Sequence, residues 1–197
     1  RGTRTILMVM PGIEFFTIIF AMLKVGAVPV VVDPGMGLKR MLLCLSEGKP
    51  FAFIGIEKAH LLRVLRPGYF KTVKHWVTVG RRWCWGGYTL DQLYADTNEP
   101  YPSAKTTKNE TAAIVFTTGS TGPAKGVVYT HGNFDAQINQ IRTHFKIEPD
   151  EIDLPTFPLF ALFDPALGMT AVIPDMDPTR PAHANPKKII QTIQDHG

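Results

Sequence analysis

Four short apolar runs, separated by stretches with helical spacing, set the tightest limit on what this chain can fold into. The runs are Ile6 to Met10, Ala27 to Val32, Phe51 to Ile56 and Thr72 to Val79. Their near-continuous apolar character reads as strands buried on both faces. Pro11 to Lys24, Leu38 to Ser46 and Lys58 to Leu65 read as the intervening helices, with Pro11 early in a first turn and Gly48 closing the second. Buried strands alternating with helices predict an α/β fold, a largely parallel sheet with helices on both faces.

Phe15 to Val32 has the length and hydropathy of a membrane span. Its detail argues otherwise. Phe15, Phe16, Ile18, Ile19, Met22 and Leu23 follow helical spacing, Gly26 breaks the pattern, and Val28 to Val32 is β-branched around Pro29. That order reads as helix, turn and buried strand. The chain has 197 residues, 45% hydrophobic, enough for a sizeable core and too apolar for disorder. Arg1 is followed almost at once by the first run, with no charged leader and cleavage site, and Gly197 directly follows a helical pattern. Both ends read as cut from something longer.

Composition removes several function classes. Cys44 and Cys84 are too few for a disulfide framework or a cysteine zinc site, and read as reduced thiols of a cytoplasmic protein. The histidines show no metal-ligating spacing, so no protein-bound metal is expected. A net charge of +4 does not argue for nucleic acid, and Trp83 and Trp85 beside Arg81 and Arg82 come with no nucleic-acid-binding signature. Arg63, Arg66, Lys71, Lys74, His75, Arg81 and Arg82 read as a solvated basic face, allowing at most peripheral membrane contact.

The organisation expected is a first α/β subdomain over 1–80, a connecting segment over 81–111, and a second α/β segment over 112–197. The connecting segment is rich in Trp, Gly, Pro and polar residues, with only Leu90 to Tyr94 reading as a short helix. Beyond it come strands at Ala112 to Thr117 and Gly126 to Tyr129, a helix from His131 to Phe145, a Pro-rich stretch from Pro155 to Pro186 and a final helix from Pro186 to Gln194.

Between the two later strands lies Thr117-Thr118-Gly119-Ser120-Thr121-Gly122-Pro123-Ala124-Lys125. A plain hairpin needs about two turn residues. This one concentrates hydroxyl and backbone donors around glycines that allow close approach, and adds a lysine point charge, a set suited to phosphate oxygens. Neither common phosphate motif fits. A Walker loop would need Gly at Ala124 and Ser or Thr at Gly126, and a dinucleotide motif starting at Gly35 would need Gly at Arg40.

The string from Thr117 to Val127 resembles the signature loop of the adenylate-forming, AMP-binding superfamily, which includes acyl-CoA synthetases, luciferases and peptide-synthetase adenylation domains. Thr118 stands where Ser is common, and Pro123-Ala124 reverses the usual order before Lys125. Leu23 to Pro29, Asp33-Pro34, Thr130 to Asn133 and Phe157 to Phe160 resemble the family's neighbouring segments, so the likeness runs through essentially the whole chain. Val32 to Gly37, Phe53 to His60 and Phe160 to Pro181 resemble more closely the subgroup that includes the β-lactone synthetases of bacterial olefin biosynthesis. Ala161 stands where the wider family often has His, a departure from an ordinary CoA-ligase pocket.

This resemblance implies part of the large N-terminal domain of an enzyme that joins a carboxylate to ATP, giving acyl-AMP and pyrophosphate, with Mg²⁺. Either CoA or the substrate's own β-hydroxyl then attacks. It implies a fatty or β-hydroxy fatty acid substrate. Thr117, Thr118, Gly119, Ser120, Thr121, Gly122 and Lys125 would bind the phosphates. His131 would lie near the site, and Phe160, Ala161, Leu162 and Phe163 would line an acyl pocket. Core packing serves these apolar residues equally well, and His131 reads also as a helix start. Asp164-Pro165 reads first as the start of a turn, with substrate contact as the alternative. The adenine-binding, hinge and catalytic-lysine segments of the family are expected beyond Gly197, with the rest of the adenylation domain and the C-terminal domain needed for turnover. The alternative is a non-catalytic nucleotide- or partner-binding scaffold derived from that fold.

Overall fold

Phe15, Ile18, Ile19 and Met22 recur at helical spacing, and that stripe is the buried face of the first helix, α1 (Ile13–Lys24). Glu14 in its first turn and Lys24 in its last complement the helix dipole. The helix follows β1 (Arg4–Met8) and precedes β2 (Val28–Val32). The span-like stretch is therefore helix, turn and strand. Among the described residues no helix is long and apolar enough to cross a membrane. The alternation continues through α2 (Leu38–Glu47), β3 (Ala52–Ile56), α3 (Glu57–Leu65) and β4 (His75–Val79). The computed structural model describes residues 1–94, 99–117, 125–157, 159–177 and 180–196.

The connecting segment contributes a two-residue strand, β5 (Tyr88–Thr89), parallel to β4. It is too short to leave a pattern in the sequence. Two longer strands follow, β6 (Thr111–Thr117) and β7 (Lys125–Thr130). All seven form one sheet in the order β5-β4-β3-β1-β2-β6-β7, parallel except for the antiparallel β6–β7 pair. The chain must thus pass from the β5 edge to the far side of β2. On the way it docks on the α1–β2 turn, where the Ala104 amide donates to Lys24 O at 2.7 Å. Gly26 sits in that turn at φ +69°, and a Cβ there would lie 3.2 Å from Ala104 Cβ. Both the conformation and the close approach call for glycine.

Helix placement follows from strand order. The step from β1 to β2 goes one way along the sheet. The step from β2 to β3 goes back past β1, and β3 to β4 continues in that direction. Right-handed crossovers then place α1 on one face and α2 and α3 on the other. Burial agrees. Ile6, Val30, Phe53 and Ile114 share a cluster with Met41, Leu45 and Ala59 of α2 and α3, and the buried residues of α1 lie outside it.

Two compact units divide the chain, 1–132 and 133–197. The sequence reading divides it instead at 80 and 112. Residues 111–130 supply two strands to the first sheet. Nothing local in those strands records that their partner is β2, far back in the chain.

The second unit holds most of α4 (His131–Phe145), a short parallel pair of β8 (Ile152–Asp153) and β9 (Thr170–Ala171), the single turn α5 (Asp164–Leu167) and α6 (Pro186–His196). Within it the Phe134 and Phe163 rings meet edge to face at 6.2 Å.

Candidate functional site

Two sets of sequence-selected residues are placed by different units. The first stands at the β6–β7 hairpin. β6 is held by parallel pairing to β2, with Val32 opposite Phe116, and by antiparallel pairing to β7, with Thr117 opposite Lys125. Thr117 and Lys125 therefore close the ladder at the mouth of the loop. Thr118, Gly119, Ser120, Thr121 and Gly122 lie outside the described residues. Lys125 is exposed. The neighbouring β2 ends at Val32 and is followed by Asp33, whose Oδ1 accepts from the Gly35 amide at 2.8 Å and caps a turn of 3-10 helix. That bond commits the carboxylate to its own turn.

The glycine after Lys125 has a packing role. Gly126 pairs with Phe116, and a Cβ on it would lie 3.0 Å from Phe116 Cε1 and Cζ. The Phe116 ring is buried and fills the space across the hairpin. His131 opens α4, as its reading as a helix start expects, and its amide donates to Glu110 O at 3.1 Å. The next amide, of Gly132, donates to Lys108 O at 2.8 Å. These two bonds tie the start of the helix to the segment that leads into β6.

The second set surrounds a cavity of about 300 Å³ inside the second unit. Phe160 and Phe163 line it together with Ile141, Phe145, Leu167 and Met169. Phe160 to Leu162 form one 3-10 turn that runs into α5. That turn sends the side chains in different directions. Ala161 is buried, and neither it nor Leu162 lines the cavity. Ile141 and Phe145 come from α4 at a four-residue spacing, one face of a helix. Their helical period was legible, but the cavity they face was not.

Ile147, Asp164 and Asp153 complete the lining. Asp164 opens α5, and its side chain is 3% exposed with Oδ2 enclosed and without a hydrogen-bond partner. Burial, and secondarily the charge of Asp153, push its carboxyl up to about 6. Proton uptake near pH 6 is thus available in a pocket whose remaining walls, apart from Asp153, are apolar.

A further perturbed group lies in the first unit. His60 is fully buried, stacked on Trp85 at 5.5 Å and edge-on to Phe53 at 4.9 Å. Its Nε2 lies 3.0 Å from Val77 O. A carbonyl only accepts, so Nε2 carries the proton and Nδ1 is left enclosed without a partner. Burial holds its pKa below the ordinary histidine value. This histidine is a core residue. Among the described residues no group of three or more His, Cys, Asp or Glu is placed to hold a metal ion.

Comparison with known proteins gives a consistent result. An olefin β-lactone synthetase of Xanthomonas campestris is 52% identical over 190 residues, covering 96% of this chain and 34% of the relative. One from Stenotrophomonas maltophilia is 52% identical over 199 residues, covering 100% of this chain and 36% of the relative. The chain thus spans about a third of the length of these relatives. Among solved structures, a long-chain-fatty-acid-CoA ligase of Archaeoglobus fulgidus superposes with TM-score 0.79 at 17% identity, covering 99% of this chain and 38% of that one. A red-emitting luciferase of Phrixothrix hirtus gives 0.78 at 20%, covering 98% and 39%. These likenesses show a shared fold. The profile of the AMP-binding enzymes matches residues 1–197, and the chain belongs to that family.

Proposed function

We propose that this chain is the phosphate-loop-bearing part of an ATP-dependent enzyme that activates a fatty or β-hydroxy fatty acid as its acyl adenylate. The reading is carried by the β6–β7 hairpin, which sets Thr117 and Lys125 opposite each other at the mouth of the hydroxyl- and glycine-rich loop. Its setting in an AMP-binding family chain supports it. The acid's oxygen attacks the α-phosphorus of ATP, and pyrophosphate leaves. The loop's task is to hold the β- and γ-phosphates and to stabilise charge on the departing pyrophosphate. Positioning and fixed donors, with little covalent protein chemistry, account for such catalysis. Lys125 supplies a charge at one end of the hairpin, and the loop hydroxyls and amides supply neutral donors.

The loop's donors would hold the phosphate oxygens, and Mg²⁺ would come to the site with the nucleotide on those oxygens. When bound it would neutralise phosphate charge. The acceptor in the second half-reaction is either CoA or the substrate's own hydroxyl. The two relatives named for a β-lactone product favour the hydroxyl. Ring closure to a β-lactone requires an oxygen on the β-carbon, which points to a β-hydroxy acid. The remainder of the adenylation domain and a C-terminal domain are partners in this scheme. Cys44 and Cys84, both free, suit a cytoplasmic setting.

The test uses the natural full-length polypeptide that carries these residues. Lys125→Ala and Thr118→Ala should each slow acyl-AMP formation by roughly 100-fold, the loss seen when one transition-state donor is removed. Pyrophosphate release with ATP and a panel of fatty and β-hydroxy fatty acids measures it. Unchanged rates in both variants would overturn the assignment.

A further inference from the structure

The cavity in the second unit has apolar walls from α4, the 3-10 turn and α5, and a buried carboxyl among them. An apolar core gains nothing from that carboxyl. A buried polar group without a partner costs the desolvation of that group, and native structures keep few of them. Asp164 is not spent on its own helix start, since Phe163 is the N-cap and no side-chain capping bond forms there. Its Oδ2 has no partner from the protein. Its neighbour in the lining, Asp153, is also acidic and supplies no donor. The unmet need is for a donor from a ligand, on a molecule that is otherwise apolar enough to sit against Phe160, Phe163, Leu167 and Met169. A hydroxyl on an alkyl chain satisfies both conditions. A cation would not gain from the apolar walls, and a plain alkyl chain would leave the carboxyl unpaired.

We propose that Asp164 is the residue that recognises the hydroxyl of a β-hydroxy acyl substrate, with the surrounding apolar side chains receiving the adjoining alkyl chain. The hydroxyl donates to a carboxylate oxygen of Asp164. The rest of the cavity then discriminates little between chains, and selection for the hydroxylated acid falls to one contact. A site built to bond a substrate hydroxyl disfavours the analogue lacking it, because its polar group is left unpaired. The raised pKa fits this environment: a carboxyl disfavoured as a lone anion is stabilised when a hydroxyl donates to it. This assignment rests on the acyl-adenylate reading above, which supplies the substrate class.

The experiment compares a matched pair, 3-hydroxydecanoate and decanoate, on the natural full-length polypeptide, its Asp164→Leu variant and its Asp164→Asn variant. With ATP–pyrophosphate exchange as readout, the unaltered enzyme should favour the hydroxy acid in kcat/KM. Asp164→Leu should reduce kcat/KM for the hydroxy acid by about 10- to 100-fold, chiefly through KM, and leave decanoate unchanged or improved. Asp164→Asn, which keeps the shape and can still hydrogen-bond, should retain part of the preference. The leucine variant removes a buried unpaired carboxyl, so its melting temperature should hold or rise. An unchanged ratio between the two acids in Asp164→Leu, or no preference in the unaltered enzyme, overturns the proposal. Direct binding of the two acids by calorimetry separates the two readings. If neither acid supports exchange, the adenylation reading fails, and an Asp164-dependent preference in binding still upholds the site. Equal binding of both acids to all three proteins overturns it.

Discussion

Gly126 and Phe116 face each other across the hairpin, and the ring occupies the space that a side chain on the glycine would need. Gly126→Val should therefore lower stability by about 1–3 kcal/mol, the cost of forcing extra atoms into a packed site. Gly126→Ala should cost less, and urea midpoints of the two variants measure the difference. Lys125, one residue earlier, is exposed, so its loss should alter phosphate chemistry with little effect on folding. Asp164 shows where residue-level reading stops. Asp-Pro is a turn-opening pair whether it is solvated or buried, and only the three-dimensional packing shows that this carboxylate is enclosed.

At the scale of elements, the connecting segment makes a specific contact that can be removed alone. The Ala104 amide donates to Lys24 O. Ala104→Pro deletes that donor, and the expected loss is about 1 kcal/mol, confined to the docked segment. Hydrogen exchange should show faster exchange over residues 103–108 with the β-strand amides of β1 and β3 unaffected. Equal acceleration throughout the sheet would mean that the segment is integral to it. The strands and helices of the first eighty residues were legible because each carries several apolar side chains at a fixed period. Their limits were less so. The first strand runs Arg4–Met8, two residues earlier than the apolar run, because pairing to β2 and β3 decides where a strand ends. β5, α5 and the β8–β9 pair hold too few residues to show a period at all. The hydroxyl- and glycine-rich loop stands out in the sequence by its donor chemistry, and the cavity does not, because only the folding of residues 141–169 brings its walls together.

For the molecule as a whole, the two units should respond to acid in opposite directions. His60 is in the first, with its folded pKa below the ordinary value. The unfolded state then binds the proton more readily, so the first unit loses stability as pH falls below about 6.5. Asp164 is in the second, with a folded pKa of about 6 against an ordinary value of 3.8. Here the folded state binds the proton more readily, so stability rises as pH falls through 6 towards 3.8, by at most about 3 kcal/mol. Trp76, Trp83 and Trp85 all belong to the first unit, so tryptophan fluorescence follows that unit and circular dichroism follows both. Between pH 7 and pH 5 the fluorescence transition should move to lower temperature. His60→Gln should flatten that shift, and Asp164→Leu should remove the opposing one. Parallel movement of both transitions would contradict the assignment of these groups.

The strand order also governs how the protein is made. Ile114 follows its sheet partner Val30 by 84 positions. At a synthesis rate of roughly 5–20 residues per second, β2 waits about 4 to 17 seconds on the ribosome before its outer neighbour is translated. During that interval β1, β3 and β4 can already assemble beside it, and β2 stands as a bare edge of valines, the kind of edge on which nascent chains pair with one another. Pro29 lies in that edge, immediately before the Val30 position where pairing with β6 begins. It has no amide to offer a foreign strand. One imino acid thus guards an unfinished sheet against the wrong partner until the β6–β7 hairpin emerges to close it.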